Sequence, residues 1–380
     1  MIVRQFLKWV QTAAPGDRAE ATSALARAYL YSELSREDRL AAEAAMIVLL
    51  EDPSPLVRRA LADALGAADA APHGVVIGLA YDQPEIAEIV VLRSPMLSEA
   101  ELVDLAGNGV DRVQAAIAAR TPLSRGLAGA LAEVGSPSAC LVLIENPSAD
   151  LSAKSLARIA ERHGQLSAIR EGLLLRSDLP AATRQALIAT LTDTLVRFVT
   201  HHDWLPEARA RRVAREACDR ATVTIAAGRR EDEMSALVHH LVASGQLTGT
   251  LLLRALLAGN MRFLIEAFAE LSGIKPRRVA AILSDRTGHG FRALYERAGL
   301  PSGAFGAFKA ALEVIHESGF VGDRLGAALL GRRMVERVLT RYEGETGDDL
   351  DYLLAMLRRF AAEAAREEAR HYTADLVAAA

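Results

Sequence analysis

Histidine and aspartate are the residues of this chain whose types and order could do chemistry. His163, the run His201-His202-Asp203, the pair His239-His240 and Asp285 supply imidazole and carboxylate donors. Such donors suit divalent metals, and a metal with an open position can activate water. Neighbouring histidines on a helix diverge by about 100°, so only one of each pair could serve. The sharpest metal set is therefore His202, Asp203, His239 and Asp285. The spacing within it is loose, and His201-His202 falls at a predicted helix end, where imidazole favours the negative pole of the dipole. Capping and surface histidines are the expectation, with no metal and no other cofactor.

Nucleophilic chemistry has less to stand on. Cys140 lies in the apolar run Ala139-Cys-Leu-Val-Leu-Ile144, where a thiol is inert core. No Gly-x-Ser-x-Gly elbow, phosphate loop or dinucleotide glycine pattern is present. The loop Asp285-Arg-Thr-Gly-His-Gly290 is polar enough to hold a phosphate, but a lone loop is a weak signal. No catalytic residue is assigned, and the chain is expected not to be an enzyme.

The elements that must position these residues are helical. The segment Glu51-Asp-Pro-Ser-Pro-Leu-Val-Arg-Arg-Ala-Leu-Ala-Asp-Ala-Leu-Gly66 predicts a helix capped by Ser54, opened by Pro55 and ended by Gly66 in a left-handed turn. It resembles the second helix of a HEAT unit. A frame then recurs: Leu, a helix-start residue, Leu or Ile seven positions later, then usually Ala. Its instances are Leu97-Ser98 with Leu105-Ala106, Leu123-Ser124 with Leu131-Ala132, Leu151-Ser152 with Ile159-Ala160, and Leu179-Pro180 with Leu187-Ile188. Each follows a breaker: Arg93-Ser94-Pro95, Arg120-Thr121-Pro122, Glu145-Asn146-Pro147 and Arg176-Ser177-Asp178. Successive leading leucines lie 26, 28 and 28 residues apart. A period of that size holds one helical hairpin, too small to bury its own apolar face, so it must stack on its neighbours.

From about Pro180 the period is lost. Helices are predicted over 183–200, from Pro206 to about Gly228, and over 232–244, 248–258, 261–271, 276–283, 291–298 and 303–317. Gly273 and Gly299 suit C-terminal caps, and Thr248 an N-cap. Five phenylalanines (Phe263, Phe268, Phe291, Phe305, Phe308) suggest a compact core. A last helix carries the stripe Leu350, Leu353, Leu354, Leu357 and Phe360, fit to pack on the body or to pair with a second chain. The expected fold is all-α: a HEAT-like α-hairpin solenoid over 1–178, a second compact helical domain over 179–345, and a C-terminal amphipathic helix and tail over 346–380.

Composition agrees with that class. The chain has 380 residues, 51% hydrophobic, 24% charged and 5% aromatic, with a net charge of −4. Small aliphatic side chains suit closely packed helices better than an all-β core. The charge argues against wholesale binding to nucleic acid or an anionic membrane. Cys140 and Cys218 form neither a disulfide framework nor a zinc signature, and no apolar run reaches the ~20 residues of a membrane span. A cytoplasmic protein is expected.

The repeat run over 89–161 and a second stretch carry a likeness to a known family. That stretch is Leu247-Thr-Gly-Thr-Leu-Leu-Leu-Arg-Ala-Leu-Leu-Ala-Gly-Asn260, with Phe263, Leu271-Ser-Gly273, Arg278-Val279, Leu283-Ser-Asp285 and Arg297-Ala-Gly-Leu-Pro301. The chain resembles the DUF2336 family of bacterial helical proteins over roughly residues 25–320. Glu145 departs from the usual arginine-like breaker. The resemblance implies a helical fold and brings no activity or catalytic residues.

Stacked hairpins present long shallow surfaces that hold proteins or peptides. The expected function is a non-enzymatic protein-interaction scaffold or adaptor with a protein partner, its candidate contacts being Arg93, Arg120, Arg125, Arg212 and Arg215. Two alternatives are weighed. A nucleic-acid-binding repeat protein would use the arginine-rich helix 207–220, although Glu207, Glu216 and Asp219 interrupt its charge. A metal-dependent phosphohydrolase would fit the His…His-Asp…Asp order, which is similar to that of HD-type enzymes.

Overall fold

The computed structural model describes Phe6, residues 8–318 and 324–341 and, toward the C-terminus, residues 354–355, 357–362, 365–366, 369–370 and 373. Contacts divide the chain into two compact units, Met1–Leu179 and Pro180–Ala380. The described elements are helices, with one isolated bridge between Leu123 and Ala149.

The first unit runs α1 (Pro15–Tyr31), α2 (Arg36–Leu49), α3 (Pro55–Leu65), α4 (His73–Ala80), α5 (Pro84–Arg93), α6 (Glu99–Gly107), α7 (Asp111–Ala118), α8 (Arg125–Val134), α9 (Pro137–Glu145), α10 (Ala153–His163) and α11 (Ser167–Leu175). The odd-numbered helices pack one on the next from α1 to α11. In the even row α2 packs on α4, and α6 on α8 on α10. Short turns reverse the chain between successive helices. All even-to-odd turns therefore fall along one edge of the stack and all odd-to-even turns along the other.

The recurring frame explains the even row. Ser98, Ser124 and Ser152 accept hydrogen bonds from the backbone N–H groups of Glu101, Leu127 and Ser155, and Glu101 closes a capping box on Ser98. That answers N–H groups that a helix start leaves open. The leading leucines Leu97, Leu123, Leu151 and Leu179 are buried, as are Leu105, Leu131, Ile159 and Leu187. Two details of the 51–66 segment differ from expectation. The Ser54 side chain makes no cap; its N–H instead donates to the Asp52 carboxylate at 2.8 Å. Gly66 is right-handed (φ −60°), and a Cβ there would lie 2.7 Å from the Ala62 carbonyl oxygen of its own helix and in ordinary contact, at 3.4 Å, with Ile89 of α5. Crowding by the helix end, rather than handedness, favours that glycine.

The second unit runs α12 (Ala181–His201), α13 (Glu207–Ala226), α14 (Glu231–Ala243), α15 (Gly249–Leu257), α16 (Met261–Ser272), α17 (Pro276–Ser284), α18 (His289–Arg297), a 3-10 turn (Ser302–Ala304), α19 (Phe305–Ser318) and α20 (Arg324–Arg341). Helix α15 is buried at every position from Leu251 to Leu257 and packs against α13, α16, α19 and α20. A helix apolar on all sides belongs at the centre of a core. Thr248 caps it by accepting from the Leu251 N–H, and Gly273 ends α16 in the left-handed conformation (φ 67°). Phe268, Phe291, Tyr295 and Phe308 meet edge to face or tilted, with ring centroids 5.4 to 6.5 Å apart.

Helix α20 has no counterpart among the helices predicted from sequence, because Gly326 and Gly331 weaken its pattern. A Cβ at Gly331 would sit 2.7 Å from the Leu257 carbonyl oxygen, so α20 crosses the end of α15 through a glycine. Of the last apolar stripe, Leu350 and Leu353 lie outside the described residues. Leu357 is fully buried in this unit's core, with Leu354 and Phe360 packed against it. That part of the stripe is thus covered by its own chain.

Candidate interaction surfaces

The histidine and aspartate set does not converge. His202 is exposed just past the end of α12 and stacks on Trp204 at 5.4 Å. Asp203 follows in the positive-φ region (φ 55°). His239 is exposed on α14, its Nδ1 3.3 Å from Glu270 Oε1, whereas His240 turns inward and lies 3.0 Å from Gln185 Oε1. Burial pushes the His240 imidazole below its ordinary pKa. The Asp285 carboxylate accepts from the Thr287 N–H (3.0 Å) and hydroxyl (2.7 Å), which hold it below the usual carboxylate range. Among the described residues no group of three or more His, Cys, Asp or Glu could hold a metal. His202, Asp203, His239 and Asp285 are thus not brought together: two of the four sit at a hairpin tip, one faces a glutamate, and the fourth is occupied within its own loop. Cys140 is buried core, and burial pushes its thiol up.

A shallow cleft of about 220 Å³ opens between that loop and α19, with Arg286, Arg292, Phe305, Lys309, Glu313 and His316 on its walls. Arg292 lies over the Phe305 ring at 4.6 Å and faces Glu296, while Lys309 faces Glu313. Its walls carry both signs of charge.

The odd-to-even edge of the first unit explains the breakers. From the end of α7, Arg120 reaches back to the carbonyl oxygens of Val91 and Ser94 at the end of α5. From the end of α9, the Asn146 amide donates to the carbonyls of Ala118 (2.8 Å) and Arg120 (2.9 Å). Arg176, after α11, donates to the Ile144 carbonyl at 2.8 Å. Three of the four breakers thus tie the last carbonyls of one odd helix to the next, and at the third Asn146 does the work where Glu145 departs from arginine. Two of the predicted partner contacts take part in this edge. Arg120 is half-buried and held by backbone carbonyls, and burial lowers its pKa. Arg125 forms a two-pronged pair with Asp150 at 3.0 Å, both exposed. Arg93 is exposed at the end of α5.

The even-to-odd edge has a polar ladder of its own. Arg18 pairs with the buried Asp52 (2.8 Å), and Arg58 with Asp82 (2.7 Å), while Arg58 also donates to the Asp52 carbonyl. Burial pushes the Asp52 carboxyl up, but Arg18, the Ser54 N–H and the charge of Arg58 outweigh it and hold its pKa below the ordinary value. Arg112 bridges to Glu85 and Glu88. The buried Gln114 donates to the Ala106 carbonyl (2.8 Å) and accepts from the Ser136 N–H (2.8 Å), and Arg162 donates to the Ala132 carbonyl (3.0 Å).

Along this edge every even-to-odd turn lifts at least one large apolar side chain into solvent, and the first adds Ile47 and Val48 at the end of α2. Leu56 at the start of α3 is 59% exposed, Tyr81 after α4 56%, Val110 before α7 39%, Val134 at the end of α8 47% and Leu166 before α11 43%. Single exposed apolar residues are ordinary, but here they recur at successive turns of one edge. The series is hard to read in sequence because its members sit at different positions of their turns, with irregular spacing and no constant neighbour.

In the second unit Arg212 and Arg215 are exposed on α13, while Arg211 pairs with Glu207. Deeper in the unit, Asp219 lies beside the buried Arg254, which sits 5.8 Å from the Phe360 ring, and Arg359 pairs with Glu216 at 2.6 Å. Burial pushes the Asp219 carboxyl up to about 6, against the pull of Arg254 and Arg215.

Fold and surfaces together define an all-helical protein with two laced edges on its stacked unit; exposed apolar side chains recur at every turn of one edge and stand at both ends of the other, at Tyr31 and Leu175. The chain belongs to a bacterial family: the model described as "Uncharacterised protein conserved in bacteria (DUF2336)" matches residues 86–348. No curated protein and no solved structure matches the chain.

Proposed function

We propose that this protein is a non-enzymatic adaptor that holds a protein partner along the even-to-odd edge of its first unit. The observation that carries this reading is the series Leu56, Tyr81, Val110, Val134 and Leu166, at least one exposed apolar side chain at every turn along an edge with a paired polar ladder. Apolar anchors ringed by charges of both signs, here Glu85, Glu88, Arg112 and Glu133, suit a protein surface better than a polyanion. We place the adaptor in the cytoplasm. No described helix is long and apolar enough to cross a membrane, and the chain's two cysteines are both free.

The test is capture from a bacterial lysate on three full-length baits, with nuclease present. One is the natural chain, one carries L56S, Y81S and V110S, and one carries R93S and R125S on the opposite edge. A protein retained by the first and third baits and lost from the second supports the adaptor reading. Equal retention on all three, or retention that nuclease abolishes, overturns it.

A further inference from the structure

Past Ile188 the long hairpin of α12 and α13 leaves the core of the second unit. Among the described residues from 189 to 217, Ala210 is the one fully buried side chain. Leu195, Phe198 and His202 follow each other at helical spacing on one face of α12. Phe198 meets His202 at 4.6 Å and Trp204 at 5.4 Å. Leu195 is 52% exposed, Phe198 49%, Trp204 65% and, on α13, Val213 49%. Together these side chains leave roughly 400 Å² of mostly apolar surface open, the size of the largest patch on a typical monomer.

We propose that this distal hairpin is a self-association surface, on which two copies of the chain pair into a four-helix bundle. Two helices have only one another to pack on, and a second hairpin related by a two-fold axis would complete the missing core. Charge points to the same occupant. Between residues 193 and 216 the hairpin carries Arg197, Arg209, Arg211, Arg212 and Arg215 against Asp193, Asp203, Glu207 and Glu216. A polyanion would meet four carboxylates there, whereas a second copy brings both signs to both sides. Two such patches bury about 800 Å² of apolar surface. With the flanking polar rim that reaches the ~1,200 Å² at which stable interfaces begin. This surface lies in the other unit from the adaptor edge, so either proposal can fail without the other.

The experiment is sedimentation velocity of the full chain over a concentration series, beside the variant F198S/W204S. The natural chain is expected to sediment at about twice 40.7 kDa, and the variant as a monomer with an unchanged melting curve. Its dimer dissociation constant should rise at least about thirtyfold, as loss of one central anchor does. In a second measurement R197C, exposed beside the patch and leaving its apolar anchors in place, should cross-link to its copy under mild oxidation, while L175C, on the first unit, should not. A natural chain that stays monomeric overturns the proposal, as does a dimer that F198S/W204S leaves intact. So does a monomer that instead floats with phosphatidylglycerol vesicles or shifts a single-stranded oligonucleotide through the same residues.

Discussion

The side-chain amide of Asn146 donates to the carbonyl oxygens of Ala118 at 2.8 Å and Arg120 at 2.9 Å, closing one turn of the stack onto the turn before it. Two adjacent turns depend on one buried amide, because Arg120 itself reaches back to the end of α5.

Replacing Asn146 by Leu leaves the Ala118 carbonyl without a side-chain donor and the Arg120 carbonyl with only the longer bond from the Ser148 hydroxyl (3.3 Å). The change should lower stability by about 2 kcal/mol, the cost of a buried polar group left unpaired. Arg125→Ala removes an equally well-formed pair whose partners are 68% and 56% exposed. It should cost no more than about 0.5 kcal/mol. Urea melts of the two variants give the comparison. Equal losses would show that the amide is not a staple.

Asp219 sets a pH dependence of the opposite sense to ordinary acid denaturation. Burial raises its folded pKa to about 6, well above the ordinary aspartate value. The stability it contributes is full below the unfolded pKa and is lost as pH rises through about 6. Asp219→Asn imitates the protonated form. It should stabilise the chain by on the order of 2 kcal/mol on the alkaline side of that window and change little on the acid side. Thermal melts on either side of the window read this directly. A loss of stability on the alkaline side would mean that pairing with Arg254 outweighs burial.

The dispersed histidines carry a prediction about metal. Replacing His202 by Ala and Asp203 by Asn, which tolerates the positive φ there, should leave the bound-metal content of the purified protein unchanged, and a chelator should not move the melting curve of the natural chain. Metal bound in proportion to protein and lost with these two residues would contradict the geometry.

Much of the fold is legible in local residue types. The serines at 98, 124 and 152 announce helix starts because each must answer a backbone N–H within three residues, which is a local rule. The leading leucines follow for a related reason, since a hairpin period forces its apolar positions inward. The close passage of α20 over α15 is not legible because a distant neighbour, the Leu257 carbonyl, decides it, whereas Ser54 and Gly66 are decided within their own turns, by Asp52 and the Ala62 carbonyl. The candidate surfaces are the least legible part. Arg120 looks like an exposed cation in sequence and is a staple, because its partners are backbone carbonyls that no sequence pattern marks. Tyr81 and Val110 look like ordinary turn residues until stacking brings their turns to one edge.

The adaptor edge is tested most directly by a photo-cross-linking residue placed singly, in the bacterial cell, at Tyr81 and at Thr121. Tyr81 stands on the apolar edge and Thr121 on the opposite one. The account predicts a covalent adduct with another protein from position 81, and none from position 121. An adduct from position 121 alone, or from neither, would contradict it.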